Sequence, residues 1–175
     1  NESRSYRFTG EWTKENETDM SIPMGAGAVV STPGDLAKFA SALFSGKLVS
    51  AKSLEQMETL KDNYGMGLFQ MPFYDKKSFG HTGGIDGFRS LFGYFPGDSV
   101  AFALTSNGLN YENNAIAIAL LSAVFDKPYD IPSFVVYELT EADLANYPGV
   151  YASEQIPLKI TISRSGNSLT AQATG

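Results

Sequence analysis

The chain has 175 residues, 43% hydrophobic and 18% charged, with 12 Phe and 9 Tyr, a composition that builds a packed core and excludes a disordered chain. Thirteen Lys and Arg against 19 Asp and Glu give a net charge of −6 without any basic run, so nucleic-acid binding lacks its electrostatic term. With no Cys and a single His, disulfide frameworks, thiolate metal sites and centres needing two imidazoles are excluded, and neither a metal nor a cofactor is expected.

Residues 1–23 are polar and show no clear period, and the last segment stops at Gly175 in mid-pattern, so both ends read as cut. Ser31-Thr32-Pro33-Gly34-Asp35 is a helix start, with Thr32 as N-cap, Pro33 at the first helical position and Asp35 beside the positive end of the dipole. Leu36, Phe39, Ala40, Leu43 and Phe44 follow at helical spacing, and Gly46 ends the run. A second short helix is predicted from about Lys52 to Lys61. After Tyr64-Gly65-Met66-Gly67 the pattern turns to β. The runs Ser78–Gly83, Phe88–Phe95 and Val100–Ser106, separated by Gly84-Ile85-Asp86-Gly87 and Pro96-Gly97-Asp98, predict an antiparallel three-strand meander covered on both faces. Asn113 or Asn114 is the expected cap of a helix through Val124 that is apolar nearly all round and hence buried. Residues 128–138 read as a linker between a first domain, 1–127, and a β segment, 139–175, in which Leu158–Ile162 turns at Ser165-Gly166-Asn167 into Ser168–Ala173.

His81 lies in Gly80-His81-Thr82-Gly83-Gly84, at the end of the first meander strand. One reading is a plain strand histidine entering a turn. The other rests on the two glycines after the hydroxyl, which weaken a strand unless a backbone or ligand approaches closely.

Gly80-His81-Thr82-Gly83-Gly84-Ile85-Asp86-Gly87-Phe88-Arg89-Ser90, with Tyr94-Phe95-Pro96 and the strand running to Ser106-Asn107-Gly108, resembles the third motif region of the serine β-lactamase and penicillin-binding-protein superfamily. The likeness is nearest to the class C-like branch of D-aminopeptidases, D-Ala-D-Ala carboxypeptidases and esterases, where the motif reads Lys-Thr-Gly or His-x-Gly. Gly25–Phe39 and Tyr64-Gly65-Met66-Gly67 resemble the segments that precede that motif, so the likeness spans residues 20–127. It implies an α+β chain, the C-terminal part of a β-lactamase/transpeptidase-like fold, followed by a short β segment. Leu144–Tyr151 and the two strands after it are similar to the opening of a lipocalin-like β domain.

The departures bear on activity. The family nucleophile stands in Ser-x-x-Lys, and no Ser here has Lys three residues later. The second motif, Tyr-x-Asn, should precede the third; Tyr111-Glu112-Asn113 follows it and reads as coincidence. The expectation is therefore the C-terminal portion of a longer hydrolase acting on a β-lactam, a D-amino acid peptide or an ester, inactive alone. A non-catalytic module binding peptidoglycan-like peptides or a partner is the alternative. The resemblance implies that the His81–Gly84 strand borders the active site. Gly84 N–H would be an oxyanion donor, and His81 would donate to substrate or bond the Tyr of the missing second motif. Thr82 would offer its hydroxyl to a substrate carboxylate, and Gly83 would leave room for the serine. Asn107 and Asn110 stand where relatives place substrate-binding amides, though Asn also serves turns and caps. Arg89 is either a substrate contact or a surface charge; Trp12, Phe69, Phe73 and Tyr74 either line a pocket or pack. Expected partners are a small-molecule or D-peptide substrate and the missing N-terminal part of the protein, with self-association through exposed apolar surface. The expected location is extracytoplasmic, periplasmic or secreted.

Overall fold

The computed structural model describes residues 3–131, 140–153 and 156–174, in two units, 1–131 and 132–175. Most of the expected linker, residues 132–138, lies outside the described residues. In the first unit a hairpin of β1 (Tyr6–Phe8) and β2 (Trp12–Lys14) precedes α1 (Pro33–Phe44) and α2 (Ala51–Glu58). Four antiparallel strands follow, β3 (Phe69–Phe73), β4 (Lys76–Ile85), β5 (Phe88–Phe95) and β6 (Val100–Ser106), side by side in chain order, and then α3 (Asn113–Val124). The second unit holds α4 (Glu141–Ala145) and a three-strand sheet, β7 (Gly149–Ser153), β8 (Ile156–Ser165) and β9 (Ser168–Ala173), in that order.

The helix starts follow local chemistry. Thr32 Oγ1 accepts the Asp35 N–H at 3.2 Å with Pro33 behind it, Ser50 caps α2 by accepting from Ser53 N, and Thr140 with Asp143 makes a full capping box on α4. The second helix is shorter than the sequence pattern suggests, because Thr59 leaves the helical conformation and serves as its C-cap.

The sheet corrects the expected meander in two places. It has a fourth strand, β3, which Pro72 disguises; β3 is an edge strand, where a missing N–H is tolerated. The turn after β4 is also tighter than Gly84-Ile85-Asp86-Gly87: Gly84 and Ile85 remain in the strand, paired with Arg89 and Phe88, and only Asp86-Gly87 turns.

Residues directly opposed in an antiparallel ladder share a face, and the register sorts the sheet accordingly. Phe73, Leu91, Phe95 and Phe102 form the core with Ala117 and Leu121 of α3, and Phe95 is wholly buried, its ring 4.9 Å from that of Phe125. On the opposite face Phe44 of α1 stacks on Tyr94 at 4.8 Å and Phe39 meets Phe92 edge-on. Both faces of the sheet are thus covered by a helix. The expectation that α3 is buried all round is corrected. Ile116, Ile118, Leu120 and Val124 are 37–49% exposed, because one side of α3 seats on the sheet and no element covers the other among the described residues. Its N-cap is Glu112, without a side-chain bond, and not Asn113 or Asn114.

The unpatterned N-terminal segment is ordered against the sheet. Tyr6 N–H donates to Asn107 O at 2.7 Å and Gly87 N–H to the buried Ser5 Oγ at 3.2 Å. Asp86 accepts from both the hydroxyl (2.6 Å) and the N–H (3.1 Å) of Thr18. Gly87 is required where it stands: a Cβ there would lie 2.4 Å from the Tyr6 carbonyl oxygen. The Thr18 hydroxyl, and then its N–H, hold the Asp86 carboxyl below the usual carboxylate range. A lowered folded-state pKa means that the contact stabilises fully above the ordinary Asp range and is lost as pH falls through the folded value. Asp86→Asn should therefore lower Tm at pH 7, with the gap to the parent closing below about pH 4. Thermal unfolding across pH checks this; a gap constant with pH would remove the carboxylate from the clamp.

Candidate active site

The candidate site is set by where β3 stops. The last β3–β4 pair is Phe69 with Gly80, whereas β4 continues to Ile85, so residues 81–85 have β5 on one side and no β3 residue on the other. The phase of the ladder decides what that open side presents. A two-residue hairpin closes with a hydrogen-bonded pair, which for turn Asp86-Gly87 is Ile85 with Phe88; Gly84–Arg89 and Thr82–Leu91 are then non-hydrogen-bonded pairs. The hairpin on the other side agrees. Turn Tyr74-Asp75 makes Phe73–Lys76 a bonded pair, so Lys76, Ser78 and Gly80 face β3, and Thr82 and Gly84 continue that series past its end. Gly84 and Thr82 therefore aim their N–H and C=O groups outward at the uncovered edge.

Side chains sort by the same alternation. Thr82 and Gly84 lie on the α3 face, where with Gly83, Arg89, Ser90 and Asn110 they line a cavity of about 1030 Å³ between the sheet and the segment leading into α3. Arg89 lies over Gly84: a Cβ on Gly84 would be 3.4 Å from its Nη1, which donates to Asp86 O at 3.0 Å and Phe88 O at 2.7 Å. Gly83 borders the cavity too, but a side chain there would point to the opposite face, where a Cβ would fall 2.3 Å from Ser90 Oγ.

His81 shares that opposite face. Its Nδ1 is 2.5 Å from Thr82 O, and its Nε2 is 2.5 Å from the hydroxyl of Tyr64. In the sequence Tyr64 stands out only as part of the flanking stretch Tyr64-Gly65-Met66-Gly67. Its placement has local causes: Asp62 and Asn63 both take positive φ, 53° and 65°, in a turn closed by reciprocal Lys61–Tyr64 backbone bonds of 2.9 and 3.1 Å. Gly65 then passes so close to the Met57 carbonyl that a Cβ would meet its oxygen at 2.0 Å, and Gly67 adopts φ +69°.

Of the residues singled out, Thr82, Gly83, Gly84 and Asn110 come together at the cavity, and His81 stands on the far side of the same strand. Asn107 is turned elsewhere, donating from Nδ2 to Arg4 O at 2.9 Å, so its amide secures the N-terminal segment. Phe69 and Phe73 line the cavity. Trp12 packs on Phe8 at 5.1 Å, and Tyr74 meets Phe73 edge-on at 4.9 Å. No cluster of three metal-ligating side chains occurs among the described residues.

The comparisons agree with this architecture. The Beta-lactamase family model matches residues 2–124. The protein called "Putative penicillin-binding protein PbpX" of Bacillus subtilis (strain 168) is 35% identical over 99 residues, which are 55% of this chain and 24% of that protein. Among solved structures, D-amino acid amidase from Ochrobactrum anthropi SV3 complexed with L-phenylalanine amide superposes with a TM-score of 0.57 at 26% identity, over 71% of this chain and 42% of the amidase. The octameric penicillin-binding protein homologue from Pyrococcus abyssi gives 0.50 at 25% identity, over 81% and 34%. The chain thus spans about a quarter of that curated relative and less than half of these structural ones. With the motif strand, its flanking helices and a family match over most of its length, the chain belongs to the Beta-lactamase family.

Proposed function

We propose that the chain is the third-motif half of a serine acyl hydrolase, and that it completes an active site whose nucleophile is carried by sequence outside these 175 residues. The observation that carries this reading is the open edge of β4, where Gly84 and Thr82 direct backbone groups outward beyond the end of β3. Acyl transfer by a serine needs an activated hydroxyl, donors for the developing oxyanion and a means of aligning the substrate. Gly84 N–H suits the second task, paired with the backbone N–H of the absent serine. The Thr82–Gly84 edge suits the third, since an extended substrate can add to it as a further strand. The Thr82 hydroxyl and the Asn110 amide are the polar groups offered from the cavity side, and Gly83 keeps the strand slim where the serine approaches.

When the serine oxygen attacks, the carbonyl oxygen gains charge and moves onto these N–H groups; collapse expels the leaving group, and water later releases the acyl chain. The first step has no agent here, because no Ser is followed by Lys at the third position. Substrates follow by likeness to the amidase and the penicillin-binding proteins: D-configured amides or peptides, with lactams and esters as chemical relatives. Such peptides occur outside the cytoplasm, which is where we place the protein. The exposed apolar side of α3 and the edge of β6 that pairs with no strand among the described residues are the surfaces on which the remainder of the enzyme would pack, and through which the chain alone would self-associate. The missing Ser-x-x-Lys equally favours a second reading, a module that binds such peptides without turnover.

The isolated chain should form no covalent adduct with a fluorophosphonate or a fluorescent penicillin, as read by intact mass; a stoichiometric adduct would overturn the division of the site. In the catalytically competent protein, Gly84→Ala should be nearly silent, since its Cβ meets Arg89 at an ordinary 3.4 Å. Gly84→Pro, which deletes the N–H, should lower kcat by about 10²–10³-fold. Turnover at the parental rate by a folded Gly84→Pro would show that this N–H does not serve the oxyanion.

A further inference from the structure

The bonds of His81 fix more than its position. A backbone carbonyl can only accept, so the 2.5 Å contact with Thr82 O requires the proton on Nδ1. In a neutral imidazole Nε2 is then bare and accepts, and its 2.5 Å partner, the Tyr64 hydroxyl, must donate. Both ring nitrogens are satisfied inside the chain, and the single proton of Tyr64 is committed to the ring. What Tyr64 has left is an oxygen with acceptor capacity, on a side chain 45% exposed and bridged to Phe69, the residue at which β3 stops covering β4.

We propose that His81 is a positioning residue, held as the neutral Nδ1–H tautomer, and that the group this side of the motif strand presents to a substrate is the Tyr64 hydroxyl oxygen, acting as an acceptor. This deepens the hydrolase reading and rests on it for the word substrate. It reverses one role expected of His81 from the motif position, donation to the substrate. An oxygen that can only accept favours a substrate N–H, either an ammonium or an amide, and is repelled by a carboxylate. The opposing influence is Lys61, which lines the small cleft beside Tyr64 with Gln56, Thr59, Gly65 and Met66 and would draw a carboxylate there. The aromatic surroundings are suited to holding the pair in place: the Tyr64 and His81 rings meet edge to face at 5.7 Å, and Phe69 lies 5.3 Å from the imidazole.

Because the sequence holds one histidine, ¹⁵N-histidine labelling gives a single set of imidazole signals, and the test needs no catalysis. At a pH where the ring is neutral, the expected spectrum has Nδ1 protonated and Nε2 bare. A predominant Nε2–H tautomer, or a ring carrying both protons under those conditions, overturns the proposal. Tyr64→Phe keeps the ring packing and should shift the Nε2 signal while leaving Nδ1 protonated; unchanged imidazole signals in a folded variant also overturn it. If that variant fails to fold, the tautomer of the parent chain still decides the first half. For the second half, phenylalanine amide, with a free ammonium, should shift the imidazole signals on titration, and N-acetylphenylalanine, a carboxylate without ammonium, should not. Neither ligand acting, or the carboxylate acting alone, removes Tyr64 as the acceptor even if the chain proves to be part of a hydrolase. Failure of the hydrolase reading leaves the tautomer result standing, so the two are separable.

Discussion

The phase of one strand governs the chemistry available to this chain. β4 belongs to two hairpins, each closed by a two-residue turn, and the two turns independently require the same alternation: odd-numbered residues 79–85 bond to β5 and even-numbered residues face the other way. A slip of one residue would turn the Gly84 and Thr82 backbone into the ladder and exchange the His81 and Thr82 side chains between faces. Much of the surrounding structure acts to prevent that slip. Thr18 and Ser5 bond the Asp86-Gly87 turn from outside, Tyr6 lies so close to Gly87 that no side chain fits, and Arg89 ties its guanidinium to two carbonyls of the same turn.

Seen this way, the N-terminal hairpin and the motif strand form one device. The segment from Arg4 to Thr18 fixes a turn two residues beyond Gly84 and also binds Asn107 at the end of β6, so it bridges the strand that offers backbone groups and the loop that leads to Asn110. The two faces of β4 are then given different tasks. On the α3 face, small residues and a hydroxyl open onto a large cavity, which Phe69 also lines; on the α1 face, His81 bonds the Tyr64 hydroxyl and its ring meets that of Phe69.

The amino-acid sequence discloses these features unevenly. Capping side chains announce α1 because Thr32, Pro33 and Asp35 act through bonds to near neighbours, and β5 and β6 are legible because period-two apolar runs need only their own alternation. The family is legible from His81-Thr82-Gly83 and its flanks. Contacts that depend on distant partners are not: Ser5 with Gly87, Thr18 with Asp86 and Tyr64 with His81 join residues 82, 68 and 17 positions apart, and nothing local marks either member of a pair. Asn107 illustrates the converse, since a side chain suited to substrate is also suited to a backbone carbonyl, and Arg4 supplies one. The extent of α3 burial is illegible for a similar reason, because an apolar circumference says what a helix can bury and not which neighbours are present to bury it.

Both proposed uses of the strand, oxyanion and substrate binding, require Thr82 and Gly84 to direct their N–H groups to an uncovered edge, and residue-resolved amide hydrogen exchange measures that directly. The predicted pattern alternates along one strand: the amides of Gly83 and Ile85, bonded to β5, exchange slowly, and those of Thr82 and Gly84 exchange far faster despite lying between them. Equal protection at Gly84 and Gly83 would mean that the Gly84 N–H is already engaged within the sheet, and no oxyanion or substrate strand could then use it.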